Sequence, residues 1–141
     1  MINAIKFYRI GRWLLIKKIP FIPKIIELVI FLIYNSKIPM SAKIGKGSFF
    51  AYGGIGCVLH DRTVIGDNVV IGTNITIGGK SKKFKVPRIG DNVYIATGAK
   101  ILGPIKIGNN VIIGANAVVI SDIPDNVVVG GVPAIILKNN E

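Results

Sequence analysis

Few side chains in this 141-residue sequence can do chemistry, and most of them are close together. His60 is the only histidine, and an imidazole is the side chain best suited to moving a proton near neutral pH. Asp61 follows it and could orient or charge-stabilise the ring, as an acid does in a catalytic triad. Adjacent strand residues point to opposite faces, so Asp61 could equally be solvated or serve a neighbouring subunit. Asp67 is the next carboxylate along the chain. Cys57, the only cysteine, sits among Ile55, Gly56 and Val58, which favours a buried, inert thiol over a covalent nucleophile. One cysteine and one histidine exclude a disulfide framework and any metal site made of several such residues from one chain. No P-loop is present, which argues against nucleotide hydrolysis. Residues 80–88 carry Lys80, Lys82, Lys83, Lys85 and Arg88 with no acid, a cluster that suits an anionic partner.

These residues sit within a repeat that runs from residue 44 onward. An aliphatic residue followed by a small one recurs every six positions, as in Ile65-Gly66, Ile71-Gly72, Ile77-Gly78, Ile89-Gly90, Ile95-Ala96, Ile107-Gly108 and Ile113-Gly114. Ile44, Phe50, Leu59, Ile101 and Val119 extend the phase to twelve slots. A period of six is neither helical nor a simple strand alternation; it is the signature of a parallel β-solenoid. Three six-residue sides close one coil, each aliphatic side chain points into a narrow core, and the following small residue lets the chain turn. Four coils stacked at strand spacing make a prism about 19 Å long. In this register His60 lies at a turn and points outward, and the residue eighteen positions on is Gly78. The basic excursion at 79–88 leaves the solenoid there, so the period alone places the lone imidazole beside the lysine-rich loop. The alternative is a surface turn residue with no role.

Length and composition agree with one all-β domain behind a short leader. The chain is 50% apolar with 17 glycines, which excludes bulk disorder and suits many tight turns. Residues 1–46 hold nine basic residues against Glu27 alone, a net +8 out of the total +11. Ile5, Tyr8, Ile10, Trp13, Leu14 and Ile16 recur at roughly helical spacing, Pro20 and Pro23 interrupt, and a second apolar run covers 25–34. That run is too short for the roughly 20 residues a membrane span needs, and no signal-peptide cleavage site follows. Residues 1–40 therefore read as a basic amphipathic helical leader, and 41–141 as the solenoid. The helices cover the open end of the prism and pack in an oligomer, rest on an anionic membrane surface, or do both. The C-terminal tail is expected to cover the other end. Apolar surface left on the flat sides also argues for an oligomer.

The repeats, together with Gly130-Gly131-Val132-Pro133-Ala134, resemble the hexapeptide-repeat acyltransferases. Ala42-Lys-Ile-Gly-Lys-Gly47, Val64-Ile-Gly-Asp-Asn-Val69, Thr76-Ile-Gly-Gly-Lys80 and Gly98-Ala-Lys-Ile-Leu-Gly103 are similar to the serine acetyltransferase branch. The resemblance covers about residues 40–138. It implies a left-handed parallel β-helix, an exception to the usual right-handed crossover, assembled as a trimer that binds acetyl-CoA between subunits. The Asp-His pair of the serine enzymes falls at Ala51-Tyr52 here, and their second histidine, before a proline in the basic loop, falls at Val86. The chain is therefore closer to small O-acetyltransferases that decorate surface polysaccharides, cytoplasmic enzymes with a leader that can sit at the inner face of the membrane.

For acetyl transfer from a thioester to a hydroxyl, His60, the only histidine, is the expected general base for direct attack of a sugar hydroxyl on the thioester, with Asp61 assisting and Tyr52 touching the acceptor. Gly78-Gly79 would supply a backbone N–H to the oxyanion. Small residues at Ala96, Thr97, Gly98, Gly114 and Ala115 would let pantetheine lie along the solenoid, because Ala96 and Gly114, and Thr97 and Ala115, are one coil apart. Lys80, Lys83, Arg88 and Lys138 would meet the phosphates. Turn chemistry would select the same small residues, and loop lysines are often merely solvated. No metal and no nucleic acid is expected. The alternatives are serine O-acetyl transfer, N-acetyl transfer to an amino-sugar nucleotide, and a non-catalytic binding solenoid.

Overall fold

The computed structural model describes all 141 residues. Two antiparallel helices, α1 (Ala4–Ile16) and α2 (Ile22–Tyr34), precede a left-handed parallel β-helix. Its strands are β1 (Lys43–Ile44), β2 (Phe49–Phe50), β3 (Val58–Leu59), β4 (Val64–Ile65), β5 (Val70–Ile71), β6 (Thr76–Gly78), β7 (Arg88–Ile89), β8 (Tyr94–Ile95), β9 (Lys100–Leu102), β10 (Lys106–Ile107), β11 (Ile112–Ile113), β12 (Val118–Val119), β13 (Val127–Gly130) and β14 (Ile135–Asn139). They form three flat faces. Face A holds β3, β6, β9 and β12; face B holds β1, β4, β7 and β10; face C holds β2, β5, β8, β11, β13 and β14. Every pair is parallel except β13 with β14.

All twelve aliphatic slots are buried, one per strand from β1 to β12, and they stack in register down the axis. A strand of two residues has almost no ladder of its own, so burial of that one side chain is what holds each rung. Truncating one of them, such as Ile77, costs about 2–5 kcal/mol. The small residue after each slot has a sharper reason than turning. A Cβ at Gly66 would press on the Gly90 carbonyl of the next coil, 2.6 Å away. The turn itself is made by left-handed residues: Gly47, Asn68, Asn92, Asn110 and Asn126 between faces B and C, and Gly56, Asn74, Gly98 and Asn116 between faces C and A. Asparagine and glycine adopt that conformation at the least cost.

The leader caps the first coil. The Asn3 side-chain amide donates to the Phe50 carbonyl, the Tyr8 hydroxyl to Ala42, and the Arg9 guanidinium to Ile44 and Gly45. Ala4, Tyr8, Ile30 and Tyr34 join the solenoid core. The solenoid begins slightly before residue 41, because Lys37 already bridges Val58 on face A. At the other end the tail extends a face instead of plugging the prism. β14 doubles back on β13, and all its residues stay exposed. The excursion ends at Pro87: Arg88 belongs to face B, paired with Val64 and Lys106, because Ile89 beside it fills a core slot.

Candidate active site

His60 follows the face A strand β3, at the corner where the chain turns to face B. Its amide donates to Ile77 at 2.9 Å and its carbonyl accepts from Thr63 at 3.0 Å, so the backbone is fixed on both sides. The half-buried ring lies against the first residue of the excursion. A Cβ built on Gly79 would stand 3.8 Å from His60 Cδ2, 4.0 Å from Nε2 and 3.3 Å from Val86 Cγ1. Gly79 thus lies against both the histidine and the buried Val86. The Gly79 amide makes no hydrogen bond within the chain and is free to meet a ligand. The Arg62 amide donates to His60 Nδ1 at 3.1 Å. A neutral ring held this way carries its proton on Nε2, the nitrogen facing Gly79.

Asp61 does not touch that ring. It is exposed, and its side chain helps line a cleft of about 930 Å³ between face B and the excursion. Lys43, Arg62, Lys85, Arg88 and Lys106 share this cleft with Asp122. Arg62 fastens the excursion over it: the guanidinium lies 4.0 Å from the Phe84 ring centroid and donates to the Phe84 carbonyl. Sequence spacing gave no hint of this clamp, because the inserted loop breaks the period between the two residues. Asp67 is occupied structurally. Its carboxylate accepts the Lys46 amide at 3.0 Å, in a column of side-chain caps continued by Asp91, Asn109 and Asp125 at the corner between faces B and C. Cys57 is buried, with Sγ 3.2 Å from the Gly72 carbonyl, and burial pushes its thiol pKa up, away from the reactive thiolate.

The small-residue track lies on a different corner, between faces C and A. Ala96, Thr97 and Gly98 follow β8, and Gly114 and Ala115 stack one coil below, after β11. Thr73 sits one coil above Thr97, their hydroxyls 2.7 Å apart. Gly98 and Gly114 also serve the fold: a Cβ on Gly98 would strike the Asn116 side chain, and one on Gly114 would lie 3.3 Å from the Val129 carbonyl. Tyr52 belongs to this same corner at the first coil, in a left-handed turn, and the residue is 84% exposed. Lys80 and Lys83 lie in the excursion, whereas Lys138 sits on β14 opposite Val128, on face C. One chain therefore brings His60, Gly78, Gly79 and Lys80 together at the A–B corner, and Tyr52, Ala96, Thr97, Gly98, Gly114 and Ala115 together at the C–A corner. A side of the prism, about 15 Å of strand, separates the two groups.

Residues 87–121 match the family model described as bacterial transferase hexapeptide (six repeats). That matched stretch is about a quarter of the chain and lies wholly within the solenoid. A serine acetyltransferase of Synechococcus elongatus is 34% identical over 133 residues, 93% of this chain and 54% of that protein. A serine acetyltransferase of Staphylococcus aureus is 47% identical over 101 residues, 70% of this chain and 47% of that one. Among solved structures, a serine acetyltransferase of Brucella abortus in complex with coenzyme A superposes with a TM-score of 0.92 at 34% identity, over 98% of this chain and 56% of the other. The chain spans about half the length of the curated relatives it matches. The 98% coverage takes in the helical cap as well as the hexapeptide solenoid.

Proposed function

We propose that the chain is an acetyl-CoA-dependent O-acetyltransferase whose working site forms between two protomers of a trimer. The supporting observation is the division of the site. The imidazole and the free Gly79 amide occupy one corner, the small-residue track occupies another, and only a neighbouring copy can set one against the other. In such a cleft the donor thioester would lie along Thr97 and Ala115, and the Gly79 amide would face the developing oxyanion. The acceptor hydroxyl attacks the thioester carbon, a C–O bond forms and the C–S bond breaks. His60 takes the hydroxyl proton through Nε2 and returns it to the leaving thiolate. For Nε2 to accept, the ring proton must move to Nδ1, so the Arg62 amide contact opens in the working state.

Serine is the acceptor favoured by the names of the relatives. A sugar hydroxyl of a surface polysaccharide is the second reading, and it rests on Tyr52 and Val86 standing where the serine enzymes carry histidines. Release of free thiol from acetyl-CoA, followed with serine and with a panel of hexoses and amino sugars, tests both. Turnover with serine supports the first acceptor and turnover with a sugar hydroxyl the second. Acetylation of amines alone, or no thiol release with any acceptor, overturns O-acetyl transfer.

A further inference from the structure

The helical cap buries one side and leaves the other bare. Trp13 and Ile16 on α1, Phe21 in the bend, and Ile25, Leu28 and Leu32 along α2 are all more than half exposed, with Phe21 at 80% and Leu32 at 71%. Ile25, Leu28 and Leu32 recur at i, i+3 and i+7, one continuous stripe on a single helix face. The hairpin bend carries Lys17 and Lys18, and the first turn of α2 carries Lys24, beside this stripe, and Phe21 projects from the bend in a left-handed turn. Lys17 Nζ lies 5.9 Å from the Trp13 ring centroid. The only acid of the first 46 residues, Glu27, is already engaged: it pairs with Lys24 at 3.8 Å and accepts the Met40 amide at 3.3 Å. Each helix has 13 residues, about 20 Å of rise. No helix is long and apolar enough to cross a membrane.

We propose that this hairpin face docks in the plane of an anionic lipid bilayer, with Trp13, Phe21 and the α2 stripe among the acyl-chain ends and the three lysines at the headgroups. Charge decides between the candidate occupants. A second copy would bring one strongly basic face against another, whereas an anionic surface complements both the apolar stripe and the lysines. The docking is independent of whether the solenoid transfers acetyl groups.

The test uses the full chain and vesicles of phosphatidylcholine with or without 30% phosphatidylglycerol, read by co-sedimentation at about 50 mM and 500 mM salt. Binding is expected to the anionic vesicles at low salt and to fall at high salt. Lys17→Glu with Lys18→Glu should weaken it roughly 30-fold or more, at about 1 kcal/mol per lysine. Phe21→Ser with Leu32→Ser should remove it at unchanged circular dichroism, since neither side chain is part of the core. Three results overturn the proposal: no binding to anionic vesicles at low salt; binding lost through Lys82→Glu with Lys83→Glu in the excursion but not through the hairpin variants; or self-association that buries the hairpin and disappears with Phe21→Ser and Leu32→Ser.

Discussion

At position 60 the imidazole stands on the same glycine as Val86, so two positions far apart in sequence reach one point in space. Replacing His60 with alanine should lower kcat by about 10²–10⁴ if its proton transfer is needed. Val86→His in that background should restore part of the rate, because the new ring would arise beside Gly79 from the other side. A purely structural role for His60 would show no such rescue. Cys57 gives a second expectation. Its thiol pKa is raised by burial, so the native protein should resist alkylation at pH 8 while the unfolded chain reacts. The sign follows from the shift: the folded state favours the protonated thiol, so this contribution to stability is full below the ordinary thiol pKa and is lost as pH rises through the folded value. Normal activity of a Cys57→Ala variant would confirm that no acyl-cysteine forms.

At the scale of the element, each strand from β1 to β12 is two or three residues long and depends on its corners. The asparagine column shows this. Asn92 holds φ of 56°, and its amide donates to the Asp67 carbonyl at 2.9 Å. Asn92→Ala should cost about 1–2 kcal/mol, read as a lower melting temperature, while Asn92→Gly should cost less, because the left-handed penalty comes from the Cβ. Equal losses in the two variants would show that the column acts through side-chain stacking instead. The excursion is held differently. Arg62 grips Phe84 by its ring and its carbonyl, so Arg62→Ala should raise protease sensitivity within 80–86 and leave the melting temperature of the solenoid nearly unchanged.

For the whole molecule, the separation of the track from the imidazole has a quantitative consequence. A variant with a blocked track, Ala115→Trp, and one without the imidazole, His60→Ala, should each be inactive alone. Co-expressed at equal levels and assembled at random, three quarters of trimers are mixed, and each mixed ring holds one intact site of three. Activity should return to about one quarter of the wild-type value. A site contained within a single protomer would give no complementation, because every chain would then carry a defect in its own site.

The hexad phase determined a great deal without coordinates: all twelve inward slots, the three-sided prism, and the outward placement of His60 beside the excursion. These were legible because a solenoid is locally specified. Each side chain's direction depends only on its position in the repeat, and each coil meets only its neighbours. The helical periods of the leader were legible for the same reason. What the period could not supply was anything that crosses the prism or interrupts the repeat. The turn of Asp61 onto face B, the use of Asp67 as a backbone cap, the Arg62–Phe84 clamp and the bare outer side of the hairpin depend on which surfaces meet in three dimensions. The division of the predicted site between two corners was implicit in the count of sides, yet only the stacked faces made it visible, because residues that share a function need not share a corner until a second copy is set against the first.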